Sequence, residues 1–138
     1  MDLNTYLSFD GNCEAAFKFY ERCFGTKINA MMPYRGSPMA DQTPPGSADR
    51  ILHARLGLDG GTLMASDSMV GQPYGGMKGF SLSLVYPNVA DAKRVFDALA
   101  DAGRVTMPLQ KTFWAEAFGM LVDRFGTPWM VSGGMAST

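Results

Sequence analysis

Histidine, cysteine and charge are all scarce in this chain, and each shortage narrows what it can do. His53 is the only histidine in 138 residues, which argues against an imidazole-rich metal or catalytic cluster. The two cysteines, Cys13 and Cys23, lie ten residues apart on one predicted helix. That is a rise of about 15 Å, too far for a disulfide. Both read as free thiols of a reducing compartment, and neither has a histidine in sequence reach to make it a nucleophile. Charged residues are 18% of the chain and the net charge is −1. Lys and Arg are scattered without a basic run, so neither nucleic acid nor an acidic membrane surface is an expected partner. No apolar run approaches the roughly 18 residues of a membrane span. Met1 to Asn4 show no basic start of a secretory leader. A cytoplasmic location is expected.

What is present suits one domain or two small fused halves: 138 residues, 46% of them hydrophobic. Residues 110–132 read as two strands joined by the turn Asp123-Arg124-Phe125-Gly126. Asp bonds its own backbone in such a turn and Gly supplies the positive φ of the reversal. A weaker copy lies about 65 residues earlier, where Gly57 to Ser66 also runs strand, Asp-Gly turn, strand. Upstream of each copy stands a strand followed by a helix. In the first half Leu3–Phe9 is the strand, and Asn12 is the candidate N-cap of a helix to about Phe24. Its apolar stripe is Ala16, Phe17, Tyr20 and Phe24, and Gly25 ends it. A strand over 27–34, an irregular loop over 35–49 and a hairpin of 50–58 with 62–66 complete this half. In the second half Phe80–Tyr86 is the strand. Asn88 caps the helix with Asp91 at the capping-box position, and Val95, Leu99 and Ala102 form the stripe before Gly103. A short strand near Val105–Met107 precedes the closing hairpin.

The expected organisation is therefore a single domain of two modules, 1–68 and 79–132, joined by a linker over 69–78 and followed by a tail over 133–138. Each module is βαβββ. Neither has enough core alone, so the fold class is α+β: a curved eight-stranded mixed sheet with the helices on its outer face.

This duplication resembles the vicinal oxygen chelate superfamily of glyoxalase I, bleomycin-resistance proteins and extradiol dioxygenases. The strings Tyr6-Leu7-Ser8-Phe9-Asp10-Gly11-Asn12-Cys13, Phe19-Tyr20, His53-Ala54 and Leu63-Met64-Ala65-Ser66-Asp67 are similar to its PhnB-like branch. So are Thr112-Phe113-Trp114 and Asp123 to Gly126 followed by Trp129-Met130. A ubiquinone-methyltransferase role, sometimes attached to that branch, finds no support, because no glycine-rich strand-to-helix turn is present. The resemblance implies a metal site built from the first and last strand of each half. Those positions fall at Thr5, Met64, Ser81 and Met130. Two thioethers and two hydroxyls suit none of Zn, Ni, Mn or Fe(II), so no metal cofactor is expected. The resemblance further implies a homodimer, as in the bleomycin-sequestering members, whose ligand pockets lie between subunits.

Strand alternation suggests what stands in the place of a metal. Leu82 and Leu84 alternate with Ser81 and Ser83, and Leu52, Ala54, Leu56 and Leu58 alternate with His53 and Arg55. With the leucines under the helices, the other face carries His53, Arg55, Thr5, Met64, Ser66, Ser81, Ser83 and Met130. Trp114 and Glu116 stand at its rim, while parity puts Trp129 on the helix face. Such a mixed polar and thioether surface suits an unidentified small molecule. The commoner role of His53 is a fold-holding hydrogen bond, and that of Asp67 is a turn cap, although Asp67 is also within sequence reach as a partner for His53 or Arg55. Two alternatives stand beside the binding protein. One is a lyase- or dioxygenase-type metalloenzyme with a displaced site near His53, using Asp67 or Glu116. The other is a non-catalytic structural or regulatory dimer.

Overall fold

Two short amphipathic helices, each laid on one face of a four-stranded sheet, organise the chain. The computed structural model describes residues 1–135 and separates into two units, the first ending at Gly76 and the second beginning at Met77. The first unit runs β1 (Thr5–Phe9), α1 (Cys13–Phe24), β2 (Ile28–Pro33), β3 (Ile51–Leu58) and β4 (Gly61–Asp67). A short 3-10 turn at Ala40–Gln42 interrupts the loop between β2 and β3. The second unit runs β5 (Leu82–Tyr86), α2 (Val89–Ala100), β6 (Arg104–Gln110), β7 (Ala115–Val122) and β8 (Pro128–Met135). Sheet orders are β1-β4-β3-β2 and β5-β8-β7-β6, so the repeat extends to topology. In each sheet the first strand runs parallel to the last, and the other pairings are antiparallel. The eight expected strands are thus hydrogen-bonded as two mixed sheets of four. β8 continues through Met135, into what the sequence suggested as a tail, and residues 136–138 of that tail lie outside the described residues.

The helices bury the faces their spacing marked out, with local differences. On α1, Cys13, Ala16, Phe17, Phe19, Tyr20 and Cys23 are buried, whereas Phe24 is half-exposed. Asn12 makes no side-chain cap. The cap comes instead from Asp67 at the end of β4, whose Oδ1 accepts from the backbone N–H of Gly11 at 2.9 Å and Cys13 at 3.0 Å. A tertiary carboxylate does here what a local amide was expected to do. The far end follows expectation: Gly25 is left-handed at φ 68°, and the N–H groups of Gly25 and Thr26 both donate to the Glu21 carbonyl.

On α2 the local cap forms as expected. Asn88 Oδ1 accepts from the Asp91 N–H at 2.8 Å, and its amide donates back to the Asp91 carboxylate at 3.1 Å. The buried stripe is Ala92, Val95, Phe96 and Leu99. Ala102 is not part of it: it is exposed, beyond the helix, and left-handed at φ 58°. Gly103 is needed for space, since a Cβ there would stand 2.6 Å from the Val122 carbonyl oxygen. The residue carrying the backbone strain and the residue lacking a side chain are therefore neighbours.

A left-handed conformation costs a residue with a Cβ about 1–2 kcal/mol. Ala102→Gly should raise the urea midpoint modestly, the greater chain entropy of glycine offsetting part of the relief. Gly103→Ala should lower it, because the new methyl meets backbone that cannot step aside. Equal and small effects of both would contradict this account of the α2 exit.

Candidate functional site

In the first unit the pairing registers settle which side chains share a face. Tyr6 pairs with Met64, which pairs with Arg55, which pairs with Ala30. Beside that row, Ser8 pairs with Ser66, and His53 pairs with Met32. These residues alternate with Leu7, Ala54, Leu56, Leu63 and Ala65, all buried under α1. His53, Arg55, Met64 and Ser66 therefore share the open face, as the alternation predicted. Thr5 does not. It pairs with buried Leu63 and stands on the same side as Leu7 and Phe9, on the helix face. Tyr6, 50% exposed, takes the open-face place assigned to Thr5. The parity of Leu7 and Phe9 marked this shift, and motif spacing alone concealed it.

The Tyr6 hydroxyl and His53 Nδ1 are 3.2 Å apart, and their rings are tilted at 31° with centroids 5.9 Å apart. The hydrogen bond spans β4, joining an edge strand to an inner one. Arg55 is exposed, and among the described residues its guanidinium has no ion pair. This face thus offers one cation, one phenol–imidazole pair, hydroxyls and the thioethers of Met64 and Met32.

Asp67 is not a partner of His53 or Arg55. It is 4% exposed, pairs with Phe9 on the helix face, and gives its second oxygen to the Ile51 N–H at 2.8 Å. A β3 irregularity where Pro33 pairs with Ile51 and Met32 with His53 brings Ile51 into the core and leaves Leu52 half-exposed. Alongside, Arg50 donates to the Asp10 carboxylate at 2.9 Å and the Ser68 carbonyl at 2.8 Å. Hydrogen bonds from Arg50 and Ser68 hold the Asp10 carboxyl below its ordinary range. Cys13 is fully buried, and burial, reinforced by the charge of Asp67, pushes its thiol up to about 12. A thiol this hard to ionise is no nucleophile near neutrality.

In the second unit Leu82 pairs with Trp129 and Leu84 with Val131, on the side covered by α2. Trp129 is 1% exposed and its Nε1 donates to Asp123 Oδ2 at 2.8 Å, so it is core as predicted. On the other face Ser83 pairs with Met130, which pairs with Met120, and Phe118 pairs with Ser132. Ser81 stands one step before β5. Trp114 packs edge-on against Phe118 at 5.1 Å and Phe113 at 4.8 Å, an aromatic cluster that the alternation did not single out beyond Trp114. Glu116 alternates with buried Ala115 and Ala117 and so stands on the same face as Phe118 and Met120. Gly134, at φ 65°, makes room for it: a Cβ there would stand 2.9 Å from the Glu116 carboxyl carbon.

The donors on the open faces do not fit a divalent cation. Of the four positions the resemblance pointed to, Thr5 stands on the helix face and Ser81 before β5, while Met64 and Met130 are paired with Tyr6 and Ser83. Neither pair brings a carboxylate or imidazole. Among the described residues no group of three or more His, Cys, Asp or Glu side chains stands close enough to hold a metal ion, around His53 or elsewhere. No helix of the described residues is long and apolar enough to cross a membrane.

Comparison with known proteins agrees with this geometry. The pattern of the Glyoxalase/Bleomycin resistance protein/Dioxygenase superfamily matches residues 2–131. Protein YjdN of Escherichia coli strain K12 is 38% identical over 142 residues, covering 96% of this chain and 95% of that protein. The crystal structure of protein PA1353 from Pseudomonas aeruginosa superposes with TM-score 0.89 at 46% identity, covering 97% of this chain and 98% of that one. A PhnB protein from Bacillus cereus, described as a putative 3-demethylubiquinone-9 3-methyltransferase, superposes with TM-score 0.80. It is 28% identical over 97% of this chain and 100% of that one.

The Cys13 thiol carries a pH signature. Unfolded, it ionises near its ordinary 9.0; folded, it holds its proton to about 12. Above pH 9 the unfolded chain binds fewer protons, so stability should fall as pH rises, by up to about 1.4 kcal/mol per unit from this group. Burial raises Tyr34, Tyr74 and Tyr86 in the same direction. Urea unfolding at pH 8 and pH 10 should show the loss, and Cys13→Ala should lessen it. An unchanged slope in that variant would refute the assignment.

Proposed function

The chain belongs to the Glyoxalase/Bleomycin resistance protein/Dioxygenase superfamily, and from that premise we propose that it is a metal-independent binding protein for a small organic molecule. The ligand lies on the open face of the first-unit sheet. The observation that carries this reading is the row Tyr6–Met64–Arg55 beside Ser66 and His53: an unpaired guanidinium, a phenol–imidazole pair and a thioether with no carboxylate among them. Its chemistry selects a molecule with an anionic or strongly accepting group for Arg55 and an apolar body for Met64 and Met32. In the second unit, Trp114 and Phe118 with Ser83 and Met130 offer ring and thioether contacts of the same kind. A cytoplasmic homodimer is part of this reading, supported by the outer strands β1, β2, β5 and β6, each the end strand of its sheet.

A thermal-shift panel of aromatic carboxylates and phosphonates should find a stabiliser of the chelator-treated protein. At 100 times its dissociation constant such a ligand adds about 2.7 kcal/mol. Arg55→Ala should weaken that ligand at least ten-fold while keeping the parent melting temperature. Silence across the panel, or a stoichiometric divalent metal in protein purified without chelator, would overturn the proposal.

A further inference from the structure

The connection between β6 and β7 carries Phe113 and Trp114 at its bend, where glycine, proline or asparagine would be the ordinary choice. Phe113 is 91% exposed and Trp114 36% exposed, so core packing does not account for this pair. A local preference broken without a packing gain marks a functional position. The bend itself is firmly held. The Thr112 N–H donates to the Ala115 carbonyl at 3.0 Å, and the Ala115 N–H donates to Thr112 Oγ1 at 3.2 Å. The rings are held too. Phe113 and Trp114 meet edge to face at 4.8 Å, and Trp114 and Phe118 at 5.1 Å. Trp114 is fixed between two other rings, with part of its indole open to solvent.

A carboxylate stands with these rings. Gly133, the partner of Ala117, abuts Ala92 of α2, so residues 116 and 118 face away from that helix. The Trp114 ring reaches Phe118 on this face, and Glu116 lies between the two in the strand, about 7 Å along it from each. Glu116 is exposed and, among the described residues, has no hydrogen-bond or ion-pair partner, Lys111 of the same connection included. The π face of an indole and an unneutralised carboxylate attract the same species, a cation. One carboxylate supplies too few ligands for a metal ion. A quaternary ammonium needs only a ring face and a nearby negative charge.

The geometry points to a second ligand site here, taking a small quaternary alkylammonium ion whose methyl groups lie against Trp114 and Phe113 and whose charge is balanced by Glu116. It does not rest on the anion-selecting face of the first unit and selects the opposite charge.

The test uses the full chain and choline, with 3,3-dimethylbutan-1-ol, its uncharged carbon isostere, as control. The chain has two tryptophans, whose indole N–H signals in a nuclear magnetic resonance titration report separately. Choline should move the Trp114 signal saturably, with a dissociation constant in the millimolar range or below, and leave that of buried Trp129 in place. The neutral alcohol should move neither at the same concentrations. Glu116→Gln, which keeps shape and removes charge, should weaken choline about five-fold or more, and Phe113→Ala, at an exposed position that the fold does not need, about three-fold or more. Replacing tryptophan by 5-fluorotryptophan keeps the ring and draws charge from its face, so it should weaken choline as well. Arg55→Ala should leave choline binding at the parent value, so that failure of this site and failure of the first-unit site are told apart. No saturable shift, an equal response to the neutral alcohol, or choline binding unchanged by Glu116→Gln would each overturn the assignment. So would a Trp114 signal that follows protein concentration and ignores choline, since the two rings would then be a contact between copies of the chain.

Discussion

One buried carboxylate holds the first unit in register. Asp67 accepts from the N–H groups of Gly11, Cys13 and Ile51. It thereby ties the end of β4 to the start of α1 and the start of β3. Hydrogen bonds to a charged acceptor contribute about 1.5–3 kcal/mol each, more than a neutral pair, and the donors left without it would be orphaned at the entrance of a helix. The positive end of the α1 dipole favours the negative charge there.

The second unit solves a similar problem with a different aspartate. Asp123 accepts from the N–H groups of Phe125 and Thr127 and from the indole of Trp129, closing the β7–β8 turn and anchoring the largest core side chain. The two units share strand order but not the position of their buried acid. These acids serve the fold, and Asp10 serves Arg50. Most of the other acids stand on exposed helix and loop positions and none lies in the row around His53, which is why that face is neutral to basic.

Much of this was legible along the chain because short-range rules govern it. The Asn88 cap, the Gly25 exit, the Asp123–Gly126 turn and the alternation that turns Leu84 toward α2 and exposes Ser83 depend on residues within a few positions of one another. The misplaced features involve partners far apart in sequence. Asn12 lost its capping role to a carboxylate 55 positions away. Thr5 and Tyr6 exchanged faces because pairing with β4, not motif spacing, sets their side. Glu116 lies over Gly134 across the ladder, a neighbour that sequence order separates from it.

The sequence by itself determined the two βαβββ repeats, the helix faces and the scarcity of histidine, since periodicity and composition are local properties that survive any arrangement of the elements. Only the tertiary structure decided which hydroxyl stands beside Met64, which acid caps α1 and where a cavity opens. Strand register is set by pairing energies between distant segments, and a shift of one residue sends a side chain to the opposite face.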